Sequence, residues 1–139
     1  MPAIDDGGGA RHRGRGERGA AAVDFVLVVV VVVPLFLGIL QVGLVLHVRN
    51  TLTAAASEGA RYGARFDREP PDGAARTRDA ISDAVSGRFA RDVTARRTTV
   101  QGAPAVAVDV RAEVPALGLF GPAWPVRVSG HAVEEALPR

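Results

Sequence analysis

Residues 25–46 form a run of 22 positions without a charged side chain, and Gln41 is the only strongly polar residue among them. A helix of that length rises about 33 Å, enough for a hydrocarbon core of about 30 Å. The competing reading, a buried core helix, is disfavoured because such segments usually run about 10–14 residues. The valine run 28–33 is a poor helix former in water. In lipid every backbone group must be bonded internally, which a helix achieves. Pro34 removes one of those bonds and predicts a bend. Gly38 and Gly43 reduce the bulk of the helix and predict close approach of another one. The chain is therefore expected to span a membrane once, through residues 20–46.

The nineteen residues before this anchor contain Gly7, Gly8, Gly9 and four arginines, Arg11, Arg13, Arg15 and Arg18. No apolar residue repeats there, so residues 1–19 are expected to be a disordered basic leader. All seventeen basic residues of the chain are arginine, so a net charge of +2 coexists with a pI near 10.3. They are interspersed with acids and aromatics are few, a pattern that gives no footprint for nucleic acid. Without cysteine there is neither a disulfide framework nor a thiolate metal site.

Helical spacing continues past the anchor through Val48, Leu52, Ala55, Ala56, Gly59, Tyr62, Gly63 and Phe66, predicting a helix over 47–66. Glu58 and Arg61, three apart, are placed to pair on its solvated face. Pro70 and Pro71 end that helix, and Asp72 reads as the N-cap of a second one over 72–89. The period then changes to two. Val106, Val108, Val110, Ala112 and Val114 alternate with Ala105, Ala107, Asp109, Arg111 and Glu113, as in a half-buried antiparallel strand. Strands are expected at about 93–100, 105–114 and 126–133, with a turn at 101–104. The apolar loop 115–125, with Leu117, Leu119, Phe120 and Trp124, reads as a cover for the core, or else as a membrane or partner surface. The fold class is α+β: a long N-terminal transmembrane helix entering a small domain, 47–139, with a second helix and a three-stranded antiparallel sheet.

The junction of leader and anchor is informative. Gly19 ends the leader, small residues follow, and Asp24 precedes Phe25 at the mouth of the apolar run. A carboxylate at this depth is costly unless paired. Cleavage after Gly19 would create an α-amino cation at Ala20, one helical turn from Asp24, and Asp24 could instead neutralise a neighbouring subunit's terminus. The plainer reading of Asp24 is a helix-start carboxylate favoured by the helix dipole.

Glycine, four residues, an acid, an aromatic and about twenty apolar residues together resemble the class III signal of type IV pilins and pseudopilins. Residues 55–64, with Glu58, Gly59, Ala60, Arg61 and Tyr62, resemble the segment after the anchor in TadE-like proteins of tight-adherence (Flp) pilus systems. The resemblance is close over about residues 16–64 and one of pattern alone beyond. It implies a minor pseudopilin of the cytoplasmic membrane, cleaved between Gly19 and Ala20 by a prepilin peptidase. Asp24 and Phe25 would take the acidic and aromatic recognition positions. The implied partners are the peptidase, other pilins and pseudopilins, the inner-membrane assembly platform and the lipid bilayer; no cofactor is implied. Asp24 stands where the family more often has glutamate, and Phe25 where major pilins favour tyrosine.

Charge does little to orient the anchor, because Arg49, Arg61 and Arg65 follow it closely. A cytoplasmic N-terminus and an extracytoplasmic domain follow instead from the processing motif. His12, His47 and His131 are not at ligand spacing, and Glu134 and Glu135 are neighbours that a strand would point to opposite faces. No nucleophile–base pattern is present, so an enzyme is not expected. The alternative to a pseudopilin is an uncleaved bitopic protein whose small outer domain binds an envelope or cell-surface partner.

Overall fold

The apolar run becomes part of one helix, α1 (Arg13–Gly63), which keeps its helical backbone through Pro34. The structure, a computed structural model, describes residues 2–3, 13–116 and 123–136, and for 13–15 the backbone alone. The expected disordered leader is thus helical from Arg13 onward; its residues 1 and 4–12 lie outside the described set. Extending a nucleated helix by arginine and glutamate is inexpensive, whereas starting one is not. The chain divides into two compact units, Met1–Ile39 and Leu40–Arg139.

In the first unit, every described side chain from residue 16 onward is exposed, and Leu40 is exposed as well. From Gln41 the helix acquires a buried face: Gln41, Leu44 and Val45 are half-buried and Val48 is buried. The last turns of the expected anchor, 20–46, therefore also pack into the domain. Residues 20–40 remain fully exposed and still rise about 31 Å, close to a hydrocarbon thickness. Gly38 and Gly43, five apart, point about 140° from each other around the helix, so they do not form one thin side.

In the second unit, Leu52, Ala55, Ala56, Gly59, Ala60, Gly63 and Ala64 face the interior. Phe66, expected in this stripe and within a helix reaching residue 66, lies beyond the end of α1 and is 63% exposed. The helix stops at a glycine, and the stripe is completed by Ala60 and Ala64 instead. Helix α2 (Pro70–Ala84) begins two residues earlier than expected. Glu69 is its N-cap, the prolines occupy N1 and N2, and Asp72 is N3, accepting the Glu69 N–H at 3.0 Å. Proline is suited to that first turn because its missing N–H has no helical partner there. The expected continuation to residue 89 is broken after Ala84; Gly87–Ala90 form a separate 3-10 turn opened by Ser86, which buries Phe89.

Strands β1 (Asp92–Val100), β2 (Ala103–Val114) and β3 (Trp124–Val133) form an antiparallel sheet in that order. Strands β2 and β3 each start two residues before expectation, β2 because the turn is only Gln101-Gly102 and β3 because its pairing with β2 extends to Trp124 opposite Val114. Both turn residues have positive φ, 50° and 82°, as a two-residue type I′ hairpin requires. Glutamine is strained there, whereas asparagine tolerates the left-handed region. Gln101→Asn is expected to stabilise the fold by about 1 kcal/mol, read as a rise of several degrees in melting temperature of the full chain in detergent.

The inner face of the sheet carries Val106, Val108, Val110 and Val114 of β2, Val93 of β1 and Val126 of β3, packed with Leu52, Ile81 and Phe89. Ala105 and Ala107, expected on the open face, are also fully buried. Their register partners, Thr98 and Val133 for one and Arg96 and His131 for the other, overshadow the short side chains on both flanks. Gly130 of β3 lies against the Ala56–Ser57 backbone of α1. Of the expected cover loop, Leu117, Leu119 and Phe120 lie outside the described residues. Trp124 opens β3 and is 55% exposed, so it does not close the core.

Candidate functional site

The residues expected to carry processing and assembly all lie on α1 in the first unit. Gly19, Ala20, Asp24 and Phe25 are exposed, Phe25 at 68%. Among the described residues, a Cβ at Gly19 would meet nothing within 4 Å. Ala20 and Asp24 are four apart, and their side chains lie on neighbouring turns of one face. Because α1 starts at Arg13, Asp24 is eleven residues into the helix of the intact chain. That is beyond the first turn, where the dipole favours a carboxylate. The helix-start reading of Asp24 therefore does not fit the uncut chain. Among the described residues no hydrogen bond or ion pair engages its side chain.

On the second unit, the open flank of α1 and α2 forms a groove of about 740 Å³ lined by Glu58, Arg61, Tyr62, Asp72, Arg76 and Asp79, among others. Glu58 does not take Arg61 as its partner. It accepts from Arg76 Nε at 2.9 Å and Nη2 at 2.6 Å. That two-pronged bond, followed by the charge attraction, raises the already high pKa of the Arg76 guanidinium. The pair is exposed and screened, so it aligns α1 with α2 more than it stabilises them. Tyr62 is half-buried beneath Arg68, whose guanidinium carbon is 4.9 Å from the ring centroid. The groove is a mixed-charge surface whose acids and arginines largely offset one another.

His47 and His131 are exposed and far apart in the fold's element order, and His12 lies outside the described residues. Glu134 binds Arg97 at 3.2 Å, while Glu135 lines the groove. Among the described residues no group of three or more His, Asp or Glu is arranged to hold a metal ion.

Several structural residues escaped the sequence reading. Gly73 of α2 meets Gly59 and Gly63 of the expected stripe at backbone distance, and Thr77, fully buried, donates to the Gly73 carbonyl at 2.9 Å. The four-residue spacing of Gly59 and Gly63 was a visible signal for such an approach. Gly130 inside a strand was another, since glycine there often marks close backbone contact. The bond from Gln41 Nε2 to the Pro115 carbonyl, 3.3 Å, had no local signal.

Residues 19–61 match the family model described as TadE-like protein. The match runs from the glycine before the anchor, through the apolar helix, to the first packed turns of the domain, and ends before α2. Among curated proteins and among solved structures, none matches the chain. A TadE-like segment implies involvement in tight-adherence (Flp) pilus systems, and α1 fits the membrane-spanning helix of a single-pass protein in such a system.

Proposed function

We propose, taking the TadE-like identity of residues 19–61 as the premise, that this chain is a membrane-anchored minor pseudopilin serving assembly or secretion of Flp-type pili. The observation that carries the reading is the exposed junction Gly19–Ala20, with Ala20 four residues before an Asp24 that no described residue pairs with, fused to about 31 Å of exposed apolar helix. Cleavage there places a free amine one turn from Asp24, and gives a carboxylate at the edge of lipid the counter-charge it lacks in the uncut chain. In this role the N-terminus is cytoplasmic, where a prepilin peptidase acts, and the domain is extracytoplasmic. Neighbouring pilins and the assembly platform meet the chain through its exposed helix. The protein acts by binding and assembly rather than by catalysis.

One observation favours the uncleaved bitopic reading: α1 runs unbroken through Gly19. A scissile bond must leave its helical hydrogen bonds to enter a peptidase. Gly14, Gly16 and Gly19 ease that step, since each destabilises a helix by up to about 1 kcal/mol relative to alanine. Intact mass of the membrane-extracted chain from a host with an active prepilin peptidase separates the two readings. The expected mature start is Ala20, lost on Gly19→Val or on deletion of the peptidase. A chain that retains Arg18 and Gly19 in the presence of the peptidase would reject the pseudopilin assignment.

A further inference from the structure

Around the first turns of α1 in the second unit, five arginines form no ion pair among the described residues, although Arg88 lies 4.8 Å over the Phe89 ring. The bond from Gln41 to the Pro115 carbonyl ties the β2–β3 connection to the first turns of α1 in this unit. Leu40, one residue earlier, belongs to the fully exposed apolar stretch. The end of β2 and the start of β3 therefore lie beside the first turns of α1 in this unit. Two adjoining concavities open there and share Pro125, Val126 and Arg127. One is also lined by Arg49, the other by Arg88, Arg91 and Arg111.

All five arginines are exposed, and among the described residues none forms an ion pair. The arginines that do so, Arg65, Arg68, Arg76, Arg96 and Arg97, pair elsewhere in the domain. Asp92 and Glu113 are the two acids lining the same concavities, against five cations. Arg111 and Arg127 are directly opposite across β2 and β3. Like charges in that position repel, and Asp92, opposite Arg111 across β1 and β2, offsets only one of the two, so the row keeps a net positive charge that an external anion would neutralise. Trp124 stands at the same end, opposite Val114, and is 55% exposed. Tryptophan beside arginine at the edge of an apolar span is the combination that suits a lipid–water interface.

We infer that this arginine collar docks the domain onto the anionic phospholipid headgroups of the bilayer that α1 crosses. The inference rests on α1 being a membrane span, whichever side the domain occupies. Guanidinium groups meet phosphodiester oxygens with forked hydrogen bonds, and the indole ring enters the headgroup layer. Docking would hold the domain down on the surface around its anchor, and releasing it would free the outer surface of α1 and the sheet for partner subunits.

Trp124 is the only tryptophan of the chain, so it reports on the collar directly. The full chain would be reconstituted into vesicles of phosphatidylcholine alone or with one-third phosphatidylglycerol, and its emission quenched with brominated lipid. Stronger quenching and a blue shift are expected with phosphatidylglycerol, reversed by raising salt. Each arginine near an anionic surface is worth about fivefold in the docking equilibrium, so Arg111→Gln with Arg127→Gln should weaken it about twenty-five-fold. The salt titration needs no substitution, which guards against a variant that misfolds. Equal quenching in both lipid mixtures, unmoved by salt or by the double variant, would overturn the collar while leaving the anchor intact. Failure of the chain to float with either vesicle would remove the membrane span and the collar together.

Discussion

Gly130→Ala should cost the domain about 3 kcal/mol and Gly130→Val more, at the upper end of what overpacking does. A Cβ built at Gly130 falls 2.5 Å from the Ala56 carbonyl oxygen and from the Ser57 nitrogen, atoms of the α1 backbone rather than of a side chain that can rotate away. The helix has little freedom to retreat. Gln41 ties it to Pro115 at one end, and the Ala64 carbonyl accepts the Glu135 N–H at 2.9 Å at the other. Val108, the register partner of Gly130, is fully buried on the same face, so moving the sheet away from α1 would open its packing. A domain of about 100 residues has a total stability of only about 5–15 kcal/mol. The alanine variant is expected to melt on the order of 15 °C lower, followed by circular dichroism of the full chain in detergent. The apolar helix should stay in the micelle. A shift under about 2 °C would mean that α1 does not approach β3 this closely.

Gly73→Val should detach α2. The added Cβ would lie 2.5 Å from the Gly59 carbonyl oxygen and 3.2 Å from the Gly63 Cα, so the two helices must separate. Separation also breaks the buried Thr77 hydroxyl's 3.4 Å contact with the Ala55 carbonyl and exposes Ile81. An expected loss of about 2–3 kcal/mol raises local opening of α2 by about thirty- to one-hundred-and-sixtyfold. Arg76 and Arg78 lie in that helix, so tryptic cleavage after them should accelerate by a similar factor. Gly38→Ala is the control: nothing lies within 4 Å of a Cβ there, and the domain's cleavage rate should not change.

These two glycines show where sequence reading reaches its limit. The spacing of Val106, Val108 and Val110 revealed a strand because alternation is a local property of the pleat. Gly130 inside a strand signals a close backbone approach, but nothing local says which backbone it meets, because Ala56 is distant in the chain. Asp72 looked like an N-cap because it precedes an apolar pattern. The two prolines before it move the cap to Glu69, since their fixed φ suits the first helical turn. Glu58 looked paired with Arg61 along the helix, yet Arg76 on α2 reaches it with two nitrogens. Phe66 continued an apolar stripe on paper but lies past the glycine at which α1 stops. At the processing junction, Gly19, Ala20, Asp24 and Phe25 were named from the residue pattern and its resemblance to the class III signal of type IV pilins. The structure adds that they are exposed and that no described residue pairs with Asp24.

By itself, the sequence determined the apolar span, the order of two helices and three strands, and the glycine–acid–aromatic junction. Each depends on length, hydropathy or periodicity over neighbouring residues. Tertiary structure decided where the anchor ends, which glycines carry the close approaches, and which five arginines gather at the anchor end of the domain. Those outcomes depend on residues brought together across the chain, as Gln41 and Pro115 are across 74 positions. Their contact is set by the register of the sheet and the packing of α1 on it, and local pattern holds no record of either.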